Sequence, residues 1–296
     1  MRDRLLLVFF KLFSRIFLFF PESVRFAFIR FLSKVLYFFA SKHKKVIDSN
    51  LKFVSNVISF SDKEKIDIKK YCFYNMILWF KSIVENLYNS DISYNISFKN
   101  RNHYDNALQN GEKIILISAH YGNIEILGDA LNRNFKEMTF VMRESNLKGI
   151  DEFIIHSREK SGGKVVYKSG ALKYLAKSLK NGNPIALLID QSINPKDGIE
   201  IEFFGQKTYQ TRSTSALARK FDAKIIPVSI TNLKDGDYEL EFYEPIDSIK
   251  SKNEKEDIKK LTQLQANALQ NIILKDPKQW FWCHKRWKTN HRYIYE

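Results

Sequence analysis

The chain of 296 residues is poor in cysteine and glycine and contains no long uncharged apolar run. Its two cysteines, Cys72 and Cys283, are too few and too far apart in sequence for a disulfide scaffold or a zinc site, so a reducing compartment is expected. None of the 11 glycines falls into G-x-S-x-G, G-x-G-x-x-G or G-x-x-x-x-G-K. A nucleophile elbow, a dinucleotide fingerprint and an NTPase phosphate loop therefore lack their motifs. H-E-x-x-H is also missing, and no metal is expected. Without about 18 successive uncharged apolar residues, a simple transmembrane span is not expected. The first apolar stretch carries Arg4, Lys11 and Arg15 and ends without a small-residue cleavage site, which argues against a secretory leader.

What is abundant is positive charge and aromatic surface. Lys and Arg number 48 against 33 acids, a formal net charge of +15, beside 24 Phe and 14 Tyr. This pairing fits a partner with an anionic surface: a membrane, a nucleic acid or an acidic carrier protein. Lys, Ile, Asn and Phe raised by an AT-rich genome would account for part of the same composition. The length allows one large domain, or one domain with an appended helical part.

Over Leu5 to Phe20, apolar residues recur at helical spacing while Arg4, Lys11 and Arg15 gather opposite. Pro21 interrupts, and Ser23 to Ala40 repeats the theme with Phe26, Ile29 and Leu36 against Arg25, Arg30 and Lys34. These read as amphipathic membrane-associating helices, with packing against the core as the alternative use of the same faces. A basic helix follows over 41–57. Ser61-Asp62-Lys63-Glu64 then resembles a capping box opening a long apolar helix through Ile83, for which core packing is the expected role.

Beyond residue 90 the texture becomes short strands alternating with helices. The expected strands are Ile92–Phe98, Lys113–Ser118, Met138–Met142, Lys164–Tyr167, Pro184–Ile189, Ile199–Phe203, Lys224–Ile230 and Tyr238–Phe242. Helical patterns lie between them, and a last helix runs to about Leu274. The fold class is α/β, with a mostly parallel central sheet flanked by helices. Residues 1–90 form a helical membrane-associating and packing region, and 91–296 the α/β catalytic domain.

The junction Ile114-Ile115-Leu116-Ile117-Ser118-Ala119-His120-Tyr121-Gly122-Asn123-Ile124-Glu125 reads as a buried strand, a turn and a helix start. His and Glu five positions apart would lie about 140° apart on one helix and share no face. With His120 at a strand end and Glu125 in the helix's first turn, their side chains can converge at an edge where open α/β sheets place reactive groups. The spacing alone is weak, since His43 with Asp48 and His291 with Glu296 share it. Asp190 and Gln191 follow another buried-looking strand, and that edge could lie beside His120. A base without a partner Ser or Cys nucleophile suggests direct transfer to an external acceptor.

Several blocks in order carry a family resemblance. They are His120 to Glu125, Met142-Arg143-Glu144-Ser145-Asn146, Arg158 before Gly162-Gly163, Leu187-Leu188-Ile189-Asp190-Gln191, Phe203-Phe204-Gly205 and Trp282-Cys283-His284-Lys285-Arg286-Trp287-Lys288. Over about residues 100–290 the chain resembles the lipid A biosynthesis lauroyl/myristoyl (late) acyltransferases, within the lysophospholipid acyltransferase-like superfamily. The resemblance implies transfer of a fatty acyl chain from acyl carrier protein or acyl-CoA to the hydroxyl of a 3-hydroxyacyl chain on a lipid A precursor. It implies no cofactor, and a place at the cytoplasmic face of the inner membrane of a Gram-negative cell, against an anionic membrane surface. His120 would act as base, with Glu125 fixing its tautomer. Arg143, Arg158 and Arg212 are the expected cations for an acidic acceptor, joined by Asp190, which would orient Arg158 or a neighbouring donor, and Gln191. Phe203-Phe204-Gly205 would wall an acyl tunnel, and the tail around His284, Lys285, Arg286 and Lys288 would meet headgroups or the carrier.

Other readings are an acyltransferase for a glycerophospholipid, glycolipid or aminolipid, a non-catalytic basic lipid-binding protein, and a nucleic-acid binder. The last has against it that the basic residues of the first 40 positions interleave with Phe and Leu and that no reader motif occurs, so no nucleic acid is expected.

Overall fold

A computed structural model describes residues 2–88, 94–145 and 147–296, with side chains from residue 7 onward and not at 88. The start of the first expected strand, the expected boundary at 90/91, Asn146 and the side chains of Arg4, Leu5 and Leu6 lie outside what is described.

Four helices come first: α1 (Arg2–Phe19), α2 (Glu22–Phe39), α3 (Ser41–Phe53) and α4 (Asp62–Tyr88). The α4 start is the capping box expected from sequence, with the Ser61 N–H donating to Glu64 Oε2 at 2.7 Å and the Glu64 N–H donating to Ser61 Oγ at 3.3 Å. The α/β part follows as β1 (Asn95–Lys99), α5 (Asn102–Gln109), β2 (Lys113–Ser118), α6 (Ile124–Asn134), β3 (Thr139–Met142), α7 (Lys148–Glu159), β4 (Lys164–Tyr167), α8 (Ala171–Lys180) and β5 (Ile185–Leu188). Then come β6 (Gly198–Phe203), β7 (Gln206–Thr211), α9 (Ser213–Phe221), β8 (Ala223–Lys234), β9 (Asp237–Phe242) and α10 (Glu254–Lys275).

Seven strands form one sheet in the order β1-β9-β8-β2-β5-β3-β4. Strands β8, β2, β5, β3 and β4 run parallel, while β9 pairs antiparallel with β8 and β1 runs with β9. The mostly parallel α/β sheet expected from sequence is thus present, with the direction reversed at one edge. Strand β2 is apolar along its length because both its faces are covered. Ile115 and Ile117 join a core with Ile47, Leu51, Phe73 and Leu269, while Ile114 and Leu116 join one with Tyr104, Ile126 and Leu131.

Strands β6 and β7 form a separate antiparallel hairpin. Strand β7 has no counterpart among the expected strands. Its inward side chains are Thr208 and Gln210, both fully buried, so it lacks the apolar alternation that marks a half-buried strand.

The first helices pack against the rest of the protein with one set of apolar side chains and leave another set exposed. Phe17, Ile29, Ile83, Val84, Leu87 and Phe153 form a third cluster that ties α1 and α2 to α4 and α7. Val8, Phe9, Leu12, Ile16 and Phe19 on α1, and Phe28, Phe31, Phe38 and Phe39 on α2, remain exposed. Among the described residues no helix is long and apolar enough to cross a membrane.

Candidate active site

The site is built where β2 and β5 end side by side. Their parallel register pairs Ser118 with Leu188, which carries His120 and Asp190 past the sheet edge together. The chain then turns sharply at Gly122, whose φ is +59°. A Cβ there would sit 1.8 Å from the Ile230 carbonyl oxygen, so only glycine fits. The Gly122 carbonyl accepts from Asn75 Nδ2 and Trp79 Nε1, both at 2.8 Å, and its N–H donates to the Gln279 carbonyl at 3.0 Å. Asn123 caps α6 by accepting from the Ile126 N–H. Its own amide donates to Ser82 Oγ and the Tyr238 hydroxyl.

Within this frame His120 is held by Asp190. Asp190 Oδ1 lies 2.7 Å from His120 Nδ1, and Oδ2 accepts from the His120 backbone N–H at 3.0 Å and from Trp280 Nε1 at 2.8 Å. Burial alone would raise the Asp190 carboxyl. The charge of His120, and hydrogen bonds from its ring, from Trp280 and from its backbone, overcome this and hold Asp190 well below the usual carboxylate range. An ionised Asp190 puts the proton of a neutral imidazole on Nδ1 and leaves the Nε2 lone pair free to accept. Gln191 Nε2 lies 3.2 Å from that atom. The imidazole keeps 18% of its surface exposed, enough for a reacting group to reach it.

The expectation that Glu125 fixes the His120 tautomer is corrected by this geometry. Glu125, on the first turn of α6, instead receives Nε and Nη2 of Arg158 on α7, at 2.9 and 2.6 Å. The Glu125 side chain is 4% exposed and that of Arg158 27%. Burial would lower the Arg158 pKa, but the Glu125 charge and hydrogen bonds raise it, so the pair is ionic. Of the two roles expected of Asp190, orienting Arg158 or a neighbouring donor, the geometry has the second: it holds His120 and the Trp280 indole, while Arg158 is paired with Glu125.

Two further expectations are corrected. Phe203 and Phe204 are buried against Trp280, Trp282 and Trp287 and do not line the apolar cleft beside α6. The Trp side chains of the tail and Arg286 face inward rather than toward headgroups, while Lys285 and Lys288 stay exposed. Arg286 is fully buried and donates from Nη1 to the carbonyls of Gln191 and Tyr209, which fixes the segment after Asp190. Its burial lowers its pKa to about 10. His284 Nε2 accepts from the Ser192 N–H at 2.9 Å, and burial pushes its pKa down to about 4. Trp280, Trp79 and Asn75 act on the site without having been singled out in the sequence.

Arg143 and Arg212 are exposed, and neither is among the hydrogen-bond partners of His120, Asp190 or the Glu125–Arg158 pair. Between α6 and the sheet, with Ser118, Leu188 and Glu125 among its lining residues, lies a cleft of about 670 Å³, open solvent included. Leu116, Leu127, Leu131, Phe140, Ala186 and Val228 make most of its wall apolar. Among the described residues no group of His, Cys, Asp and Glu could hold a metal ion.

A family profile of bacterial lipid A biosynthesis acyltransferases matches residues 4–289. The chain belongs to the bacterial lipid A biosynthesis acyltransferase family. The chain is similar to the phosphatidylinositol mannoside acyltransferase of Mycolicibacterium smegmatis, 24% identical over 189 residues, which cover 62% of this chain and 60% of that protein. The Mycobacterium tuberculosis (strain ATCC 25618 / H37Rv) protein of the same name is 24% identical over 62% of this chain and 58% of its own. The lipid A biosynthesis acyltransferase of Haemophilus influenzae is 21% identical over 63% of this chain and 57% of its own. The matches thus span about 60% of the length of these curated relatives. Among solved structures, the 1-acyl-sn-glycerophosphate acyltransferase of Thermotoga maritima aligns with a TM-score of 0.41 at 13% identity, over 88% of this chain and 99% of that one.

Proposed function

We propose that this acyltransferase moves a fatty acyl chain from a thioester donor, acyl carrier protein or acyl-CoA, to a hydroxyl of a membrane lipid. The acceptor it fits first, by its family, is the 3-hydroxyacyl chain of a lipid A precursor. The observation that carries the reading is the Asp190–His120 pair, each member two residues beyond a residue, Leu188 or Ser118, that lines a mostly apolar cleft. No Ser or Thr hydroxyl and no thiol hydrogen-bonds the His120 ring among the described residues, so a covalent acyl-enzyme has no evident nucleophile.

In this reaction His120 Nε2 takes the acceptor's hydroxyl proton as the oxygen attacks the thioester carbonyl carbon. Asp190 holds the ring and stabilises the imidazolium. Collapse of the tetrahedral intermediate breaks the C–S bond, and the proton passes from His120 to the departing thiolate. The cleft takes the acyl chain in its apolar interior. Exposed Arg143 and Arg212, and the Nη1 of Arg158 that stays outside the pair with Glu125, serve acidic groups of the acceptor; Gln191 contacts the reacting atoms beside His120.

The exposed aromatic faces of α1 and α2 seat the protein on a bilayer without spanning it, at the cytoplasmic face of an inner membrane. A second reading keeps this chemistry and gives the acceptor hydroxyl to a glycolipid headgroup; it is favoured by the likeness to phosphatidylinositol mannoside acyltransferases. Mass spectrometry of membrane lipids from a deletion strain tests both. Lipid A lighter by one acyl chain supports the first, a glycolipid lighter by one acyl chain the second, and an unchanged lipid profile contradicts the proposal.

A further inference from the structure

The cleft beneath α6 holds two polar groups whose needs the protein does not meet. Asn86 on α4 and Asp129 on α6 both line it, and each is only 3% exposed. Asn86 Oδ1 has no hydrogen-bond partner, and neither has Asp129 Oδ1. The second carboxylate oxygen of Asp129 is well served, accepting from the Tyr94 hydroxyl at 2.8 Å and from Arg133 Nε at 2.7 Å. Buried acceptors are almost always paired, so two orphans on the wall of one mostly apolar cavity point to a donor that arrives with a ligand.

The position of these groups limits which part of the ligand they meet. Asp129 lies one helical turn beyond Glu125 on α6, about 5 to 6 Å further along the helix from the turn that follows His120, and both line the cleft. A plain hydrocarbon chain there would leave both oxygens unpaired. A hydroxyl a few carbons from the thioester carbonyl would supply the missing donor to one of them and accept from the Asn86 amide.

We propose that the donor's acyl chain is hydroxylated near its carboxyl end, as in a 3-hydroxyacyl thioester, and that Asn86 and Asp129 select it by that hydroxyl. This rests on the acyl-transfer reading above and specifies its donor. A site built to hydrogen-bond a substrate hydroxyl discriminates strongly against the analogue lacking it, because its own polar groups are then left unpaired. An apolar pocket discriminates far less between the same two molecules.

The test is a competition between a 3-hydroxyacyl thioester and the unsubstituted thioester of equal chain length. The full-length protein and polar lipids of the source organism as acceptor are used, with products resolved by mass spectrometry. Binding of each donor is also measured without acceptor lipid, which separates recognition of a donor hydroxyl from that of an acceptor hydroxyl. The expected result is a preference of about tenfold or more for the hydroxylated donor, in transfer and in binding. In Asn86→Leu the preference should fall toward unity; Asn86→Ala, which adds no bulk, gives the same readout should Leu not fit. Equal use of both donors by the wild type overturns the inference while leaving acyl transfer intact, as does a preference seen only when acceptor is present. Transfer of neither donor overturns the acyl-transfer reading and this inference with it.

Discussion

Asp190 grips His120 twice, through the ring at 2.7 Å and through the backbone N–H at 3.0 Å. Its second oxygen is also tied to the Trp280 indole, so the carboxylate cannot rotate without breaking a buried hydrogen bond. Asp190→Asn keeps the shape but can present an amide N–H to Nδ1, which would place the imidazole proton on Nε2 where the base must be free. Acyl transfer is expected to fall about 10²–10⁴-fold with circular dichroism and melting cooperativity retained. Steady-state kinetics on the folded variant check this.

The Glu125–Arg158 pair is expected to act mainly on stability. Arg158→Ala leaves the 4%-exposed Glu125 carboxylate without its partner, a loss of about 3–5 kcal/mol by urea unfolding. Glu125→Gln keeps a neutral acceptor for Arg158 and should cost less. The variants are told apart from Asp190→Asn by a lowered unfolding midpoint.

His284 gives stability a pH dependence with a defined sign. Its ordinary pKa of 6.5 is lowered to about 4 in the fold, chiefly by burial. Between these values the unfolded imidazole binds a proton that the native one excludes, so folding stability rises with pH across that window and levels off above it. Below about 4 both states are protonated and this contribution is spent. Unfolding midpoints from pH 4.5 to 7.5 should show the slope, and His284→Gln should flatten it.

The exposed faces of α1 and α2 lead to a binding prediction. Each Phe transferred from water to a bilayer is worth about 1.5–3 kcal/mol, so Phe9→Ser with Phe19→Ser should weaken binding to anionic vesicles by more than tenfold. Because both residues are exposed, the melting temperature should hold. Flotation with vesicles at low and moderate salt separates this apolar contribution from the electrostatic one.

Much of this was legible from sequence because its causes are local. The run Ile114 to Ser118 reads as a strand covered on both faces, and the Ser61–Glu64 spacing as a helix start. The identity of the His120 partner was less legible. Glu125 is near in sequence, whereas Asp190 is 70 residues away and reaches His120 only through the β2–β5 register. That two strand ends could adjoin was readable, but not which acid would take Nδ1. The tail misled in part for a different reason, since Trp side chains beside Arg286 describe a wet interface and a buried aromatic core whose guanidinium bonds backbone carbonyls equally well.

The measurement that bears most directly on the account is transfer of a radiolabelled acyl chain from thioester to lipid by His120→Gln beside the wild type, in the presence of membranes. Loss of about 10²–10⁴-fold in rate, with an unchanged unfolding midpoint, is the result the account predicts. Near-normal transfer by the folded variant would contradict it.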